Sequence, residues 1–95
     1  MYRALGQVIK EAREKLGLTQ RAVAHLLEWQ QNRISNVERG QRRVEVSELE
    51  EIGWAIGVDS VDLFRMARER AAPALAAQTH RIKGRPKKLK KSRQS

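Results

Sequence analysis

The chain has 95 residues and no cysteine, which predicts one small domain without disulfides, thiol chemistry or a cysteine-bound metal. Its net charge of +9 is unevenly placed, because residues 1–72 carry 12 basic and 11 acidic side chains while residues 73–95 carry 8 basic and no acidic ones. A nearly neutral domain followed by a basic tail indicates a polyanionic partner.

A membrane is not the expected partner. No segment approaches the roughly 20 apolar residues that a membrane span requires. The first residues, MYRALGQVIKEAR, form an amphipathic pattern rather than a signal peptide. An anionic membrane would attract the basic tail, but no amphipathic anchor or lipidation motif accompanies it. We therefore expect a cytoplasmic protein.

Apolar periodicity and stop signals predict five helices, at about residues 3–16, 20–27, 31–38, 46–56 and 60–70. Thr19 is placed to cap the second helix, and Asp59 with Asp62 resembles a capping box before the fifth. Glycines follow three of these helices: Gly17, Gly40 and Gly57. This succession predicts a compact all-α domain over residues 1–72.

Each predicted helix has an apolar side that we expect to face a common core. Ala24 is small, which suits a close crossing of the second and third helices. Gly53 lowers helix stability, so we expect another helix to pack closely there. The expected inward positions are Leu5, Val8, Ile9, Ala12, Leu16, Val23, Ala24, Leu27, Ile34, Val37, Val46, Leu49, Ile52, Ala55, Ile56, Val61 and Leu63, and the fifth helix has two further apolar residues, Phe64 and Met66.

The helix predicted at residues 31–38 has an apolar side and a side dense in amide and guanidinium groups. Gln and Asn present a donor and an acceptor together and can pair with adenine, whereas Arg can pair with guanine. An ordinary solvated helix side is the alternative. The base-reading candidates on double-stranded DNA are Gln31, Asn32, Arg33 and Asn36.

Four flanking side chains are candidates for phosphate contacts: Gln20, Arg39, Arg42 and Arg43. Gln20 opens the second helix, where the helix dipole favours an anion, although it is alternatively an ordinary exposed first-turn residue. Arg39 alternatively bridges Glu38 or an acid of the fourth helix. We expect Glu38 to be a structural partner of a backbone or arginine group rather than a base reader.

The stretch LTQRAVAHLLEWQQNRISNVERG, residues 18–40, resembles the Cro/CI-type (XRE-like) helix-turn-helix of phage repressors and bacterial regulators. The resemblance extends over about residues 4–66 without a gap. It implies a five-helix, lambda-repressor-like domain that often binds palindromic operators as a homodimer. The shared residues are Leu18-Thr19-Gln20, Ala24, Leu27, Ile34-Ser35, Val37, Glu38-Arg39-Gly40, Ala55-Ile56-Gly57-Val58 and Leu63-Phe64.

The corner between the second and third helices departs from this family at three positions. Glu28 stands where the family usually has a glycine with a left-handed backbone, so it is mildly strained if the corner keeps that geometry. Trp29 replaces a smaller residue, and we expect it to pack under the corner. Gln30 takes the N-cap position, where Ser or Thr would cap better.

Trp54, on the fourth helix, is expected to be partly exposed. With Phe64 and Met66 it is a candidate two-fold dimer patch. A half-buried tryptophan that covers a small core is the alternative. A protein partner bound on this side would instead indicate an antitoxin or a co-regulator.

The last residues, 73–95, have no apolar period and no acid, which predicts a disordered basic tail. The segment Lys83-Gly84-Arg85-Pro86-Lys87-Lys88 resembles an AT-hook with Lys83 in place of its first arginine. That resemblance implies insertion into the narrow minor groove of A·T-rich DNA. The alternative is a disordered polycation that adds non-specific phosphate affinity.

No enzyme, cofactor or metal site is expected. His25 and His80 are far apart in sequence, and Ser35 lacks a nearby His–Asp arrangement. The leading hypothesis is a sequence-specific transcriptional regulator, cytoplasmic and nucleoid-associated in a bacterium or phage. The alternatives are an antitoxin or co-regulator that acts through protein contacts, and a nucleoid-type architectural protein led by the tail.

Overall fold

The computed structural model describes residues 1–72, and the predicted tail lies outside them. Five α-helices follow one another: α1 Tyr2–Lys15, α2 Gln20–Leu27, α3 Gln31–Glu38, α4 Val46–Ile56 and α5 Ser60–Arg70. Residues 1–72 contain no strand, which confirms the all-α prediction. None of these helices is both long and apolar enough to cross a membrane.

The helices enclose one apolar core, with α1 against α3, α4 and α5, and α2 against α3 and α4. Most of the expected inward residues are buried, and Ala67 joins them. Three expectations are wrong, because Leu16, Val46 and Val61 are exposed. Val46 begins α4 and lies beyond the core, while α5 turns Leu63 and Ala67 inward, four residues apart on one side.

The closest approach between helices joins α1 to the end of α3. A Cβ atom on Gly6 would lie 2.4 Å from the carbonyl oxygens of both Val37 and Glu38. Beyond α3, a Cβ on Gly40 would lie 2.6 Å from the Cα of Arg3. Glycine is therefore required for α1 to hold the C-terminal end of α3, a requirement that the sequence pattern did not reveal.

The connection between α4 and α5 is also tightly packed. A Cβ on Gly53 would lie 2.4 Å from the carbonyl oxygen of Val58, so the partner of Gly53 is this connection rather than another helix. Asp59 caps α5 by accepting a backbone N–H from its first turn. The reciprocal half of the expected capping box is absent from the described hydrogen bonds, because Asp62 pairs with Arg65 instead.

A buried ion pair fastens α1 to α3. Arg13 donates from Nε and Nη2 to the two carboxylate oxygens of Glu38, at 2.6 and 3.0 Å, and both residues are less than one-tenth exposed. The Nη1 group of Arg13 donates to the carbonyl oxygen of Leu18, and Gln20 donates to Glu38 at 2.9 Å. Glu38 is thus a structural partner, as expected, but of Arg13 rather than of Arg39.

The corner between α2 and α3 keeps the left-handed geometry without a glycine. Glu28 has φ 59° and ψ 37°, and Trp29 donates its backbone N–H to the carbonyl oxygen of Ala24 at 2.8 Å. Gln30 occupies the N-cap position of α3 without a capping hydrogen bond from its side chain. Thr19, by contrast, caps α2 through the N–H of Ala22.

We expect Glu28→Gly to raise the free energy of unfolding by about 0.5–1 kcal/mol, because glycine adopts the left-handed conformation without a steric clash of Cβ. Urea denaturation measures the change. Glu28→Ala is the matched control, since it removes the carboxylate but keeps Cβ, and it should give no such gain. Equal gains in both variants would show that the charge, not the backbone, causes the strain.

We expect Arg13→Met to lower the free energy of unfolding by about 3–5 kcal/mol, because it leaves the buried carboxylate of Glu38 unpaired. Arg13→Met combined with Glu38→Leu should regain much of that loss. Arg65→Met is the control, since Arg65 pairs on the exposed side of α5 and its loss should fall within measurement error. Similar losses in both single variants would contradict this account.

Candidate nucleic-acid interface

The polar side of α3 begins at its N-terminal end. Gln31 and Asn32 are exposed in its first turn, and Asn36 is partly exposed one turn later. Ile34 and Val37, on the opposite side, are 2% and 1% exposed. The predicted amphipathic character of this helix is confirmed. Because its apolar side is buried in the core, the amide groups on its other side face solvent.

Arg39 lies beside Asn36 at the end of α3. Its Nη2 group donates to the Oδ1 atom of Asn36 at 2.8 Å, and its Nε group lies 3.4 Å from the side-chain oxygen of Gln41. Arg39 therefore bridges neither Glu38 nor an acid of α4. Its guanidinium is exposed, and it orients the Asn36 side chain so that the amide NH₂ group remains available.

Arg33 differs from the other base-reading candidates because its guanidinium is engaged by neighbours. It lies over the ring of Trp29, with the guanidinium carbon 3.5 Å from the ring centroid. Its Nη2 group donates to the carboxylate of Glu48, on α4. The Nε atom is buried without a hydrogen-bond partner among the described residues. The structure thus separates Arg33 from Gln31 and Asn32, which project freely.

Glu48 also binds a second arginine, Arg42. Both Nη groups of Arg42 lie 3.3 Å from its carboxylate oxygens. The carboxylate also accepts the backbone N–H of Glu45 at 3.0 Å, as part of a reciprocal capping box that opens α4. Two glutamates three residues apart at the start of a helix have the capping-box spacing, which is the local signal that could have paired Glu45 with Glu48.

The Glu48 carboxyl is ionised at neutral pH. Burial acts to raise its pKa, but the N–H of Glu45 and the guanidinium groups of Arg33 and Arg42 outweigh burial and lower the pKa. A lowered folded-state pKa stabilises the fold above the unfolded glutamate value of about 4.3. That contribution is lost as the pH falls through the folded-state value.

The remaining phosphate candidates lie in different environments. Gln20 is half-buried at the start of α2 and donates to Glu38, so one of its amide hydrogens is already engaged. Arg43 is exposed in the loop between α3 and α4. Arg42 is held by Glu48, as described above, and Arg39 by Asn36. Of these four, Arg43 has the cation that no described side chain engages.

The three residues of the candidate dimer patch have unlike surroundings. Trp54 is 71% exposed and borders a shallow groove with Leu26 of α2. Phe64 is 47% exposed on α5. Met66 is partly buried against the core and lines a separate groove between α1 and α5, beside Val8. Exposure therefore favours Trp54 and Phe64, and not Met66, as contact residues.

Residues 1–72 hold no cluster of three or more side chains of the kind that bind metal ions. The AT-hook-like segment, Lys83, Gly84, Arg85, Pro86, Lys87 and Lys88, lies outside the described residues, and so does His80. Within residues 1–72, the candidate interface consists of the amide groups of α3, the arginines that follow α3, and Gln20.

Three solved structures resemble this domain. The restriction-modification controller protein C.AhdI from Aeromonas hydrophila is 29% identical, with a TM-score of 0.63, over 65% of this chain and 94% of that chain. The clp gene regulator ClgR from Corynebacterium glutamicum is 26% identical, with a TM-score of 0.71, over 85% and 87%. The controller C.Esp1396I, solved as a tetramer with its 35 base-pair operator, is 29% identical, with a TM-score of 0.64, over 72% and 90%.

A comparison with curated protein sequences gave no significant match. A family model described as a helix-turn-helix domain matches residues 4–66, the same range over which the sequence resembles XRE-like regulators. This match spans α1 to most of α5 and includes the corner at Glu28. The chain therefore belongs to the helix-turn-helix domain family, with the five-helix arrangement of its XRE-type members.

Proposed function

We propose that this protein is a sequence-specific, DNA-binding transcriptional regulator that inserts α3 into the major groove. The observation that carries this proposal is the row of outward amide groups on a helix whose other side is fixed in the core. The similar proteins point in the same direction, since two are restriction-modification controllers, one of them solved with its operator, and the third is a gene regulator.

Base reading is assigned first to Gln31, Asn32 and Asn36. Their amides each offer a donor and an acceptor, so they can pair bidentately with adenine. Entry of α3 by its N-terminal end would bring the first-turn residues nearest to the base edges. Arg33 would reach a base only by leaving Glu48 and Trp29, so we rank it below the three amides.

Phosphate contacts would hold α3 in register. Gln20 lies at the N-terminus of α2, where the helix dipole favours an anion, and its amide has a second hydrogen to donate. Arg39, Arg42 and Arg43 follow α3 and carry the positive charge of this region. Gln20, Arg39 and Arg43 would position the domain without selecting a sequence, and Arg42 would join them only on leaving Glu48.

A homodimer would present two copies of α3 to a palindromic operator, about 34 Å apart, which is one turn of the duplex. Trp54 and Phe64 are the exposed apolar residues that we assign to contacts between copies, because buried aromatic side chains dominate the energy of many interfaces. The tetramer of C.Esp1396I on its operator supports oligomeric binding in this group of proteins.

The basic tail would add affinity outside the major groove. It carries 8 basic residues and no acidic one, whereas the domain is nearly neutral. In this proposal the segment 83–88 follows the minor groove of A·T-rich DNA, in the manner of an AT-hook. Base selection would then belong to the domain, and much of the electrostatic attraction to the tail.

Selection of bound fragments from a pool of random duplexes tests the whole proposal. Full-length protein should enrich a defined sequence, with two related half-sites if it binds as a homodimer. Protein lacking residues 80–95 should enrich the same sequence, since the amides of α3 choose it. Failure of the full-length protein to prefer any sequence at moderate salt would overturn the proposal.

Asn36→Ala and Gln31→Ala should each weaken binding to the selected duplex by about 1–3 kcal/mol and relax base preference at one position. Equilibrium titration against all single-base variants of that duplex measures both effects. Gln7→Ala is the control, because Gln7 is an exposed amide on α1 that is not among the base-reading or phosphate candidates. Weaker binding with an unchanged base preference would show that these residues contribute affinity alone.

Removal of residues 80–95 should weaken binding to all duplexes and flatten the dependence of affinity on salt. Each phosphate contact contributes about −0.9 to the slope of log K against log salt. Titrations between low and moderate salt measure that slope for the selected duplex and for a random one. A loss of affinity confined to A·T-rich duplexes would favour minor-groove insertion. An unchanged salt slope would show that the tail makes no phosphate contacts.

A further inference from the structure

Glu48 binds two of the arginines that the domain would otherwise offer to DNA. Its carboxylate binds Arg33 of α3 and Arg42 of the following loop, together with the backbone N–H of Glu45. Two guanidinium groups and an N–H at a helix N-terminus are the groups that commonly hold a phosphate in proteins. Here they hold a side chain of the same domain.

Arg33 is constrained from three directions. Trp29 covers one side of its guanidinium plane, Glu48 accepts from Nη2, and Nε is buried without a partner among the described residues. A guanidinium that turned toward DNA would lose the stacking contact and leave the Glu48 carboxylate short of a partner. Arg42 is held less tightly, at 3.3 Å, and its side chain is 34% exposed.

We propose that Glu48 is a positioning residue that lowers the affinity of this domain for the DNA backbone by withholding Arg33 and Arg42 from phosphates. This inference rests on the proposed function, since it concerns how strongly the same surface binds DNA phosphates. Glu48 needs no contact with a base for this role. It acts through the two arginines that it binds.

The physical reason is that non-specific binding depends almost entirely on phosphate neutralisation. The amides of Gln31, Asn32 and Asn36 are uncharged, so they contribute little to it. Two arginines paired with one carboxylate have a net charge of +1 instead of +2. The carboxylate also repels an approaching phosphate. Binding to every duplex therefore weakens, and the choice of sequence is left to the amides of α3.

Glu48→Gln tests the proposal directly. Glutamine keeps an acceptor for the Glu45 N–H, so the capping box can form without the charge. Affinity for a random 30 base-pair duplex should rise about three- to tenfold, and its salt slope should steepen by about 0.9–1.8, equivalent to one or two added phosphate contacts. The duplex enriched by selection should gain by a similar factor, because the released arginines bind phosphates of any sequence, and its base preference should not change.

Glu51→Gln is the matched control, because it makes the same charge change at an exposed position of α4 that pairs with no described arginine. Its effect on the random duplex should be at least threefold smaller. Equal gains in the two variants would attribute the effect to net charge and overturn the proposal. Thermal unfolding of both variants verifies that each is folded at the assay temperature.

A comparison of Arg42→Gln with Arg43→Gln gives a second measurement that does not depend on the folding of the Glu48 variant. If Glu48 withholds Arg42, Arg42→Gln should weaken binding to the random duplex less than Arg43→Gln does. In the Glu48→Gln background, Arg42→Gln should weaken that binding more than it does in the wild type. Equal losses for the two arginines would overturn the inference. Failure of the wild type to prefer any sequence would overturn the proposed function instead, so the two failures are distinguishable.

Discussion

The buried ion pair between Arg13 and Glu38 fastens the C-terminal end of α3 to α1 and to the start of α2. Glu38 is the last residue of α3, Arg13 belongs to α1, and the same cluster includes the carbonyl of Leu18 and the amide of Gln20. A buried carboxylate that loses its cation is left uncompensated, so the end of α3 cannot readily separate from α1. Gly6 makes this attachment possible, because only a residue without Cβ allows the two backbones to approach so closely.

The two ends of α3 are fixed by different means. The C-terminal end has the ion pair and the glycine contact, whereas the N-terminal end follows a strained left-handed residue and lacks a side-chain cap. Trp29, Arg33 and Glu48 compensate there by joining the corner to α4 through stacking and an ion pair. Arg33, a base-reading candidate by sequence, thus joins α3 to α4 in the folded domain.

The location of charge has a similar explanation. The domain is almost neutral, and its structure shows several of its arginines bound to acids: Arg13, Arg33, Arg42, Arg65 and Arg70. Intramolecular pairing limits how strongly this surface attracts a polyanion. The basic residues after Pro73 have no acid within their own segment. A charge count alone therefore assigns to them most of the attraction for a polyanion.

The positions of the helices followed from the sequence alone, because apolar period, caps and glycine stops are local signals, and four of the five ranges agree to the residue. The amide side of α3 was predictable for the same reason. Exposure of Leu16 and Val61 was not, since periodicity defines an apolar side without stating which neighbour covers it. Only the tertiary structure decided that Arg13 pairs with Glu38 across 25 residues, and that Glu48 binds Arg33 across 15. Such pairings depend on how helices distant in sequence are brought together, and no local pattern encodes that geometry.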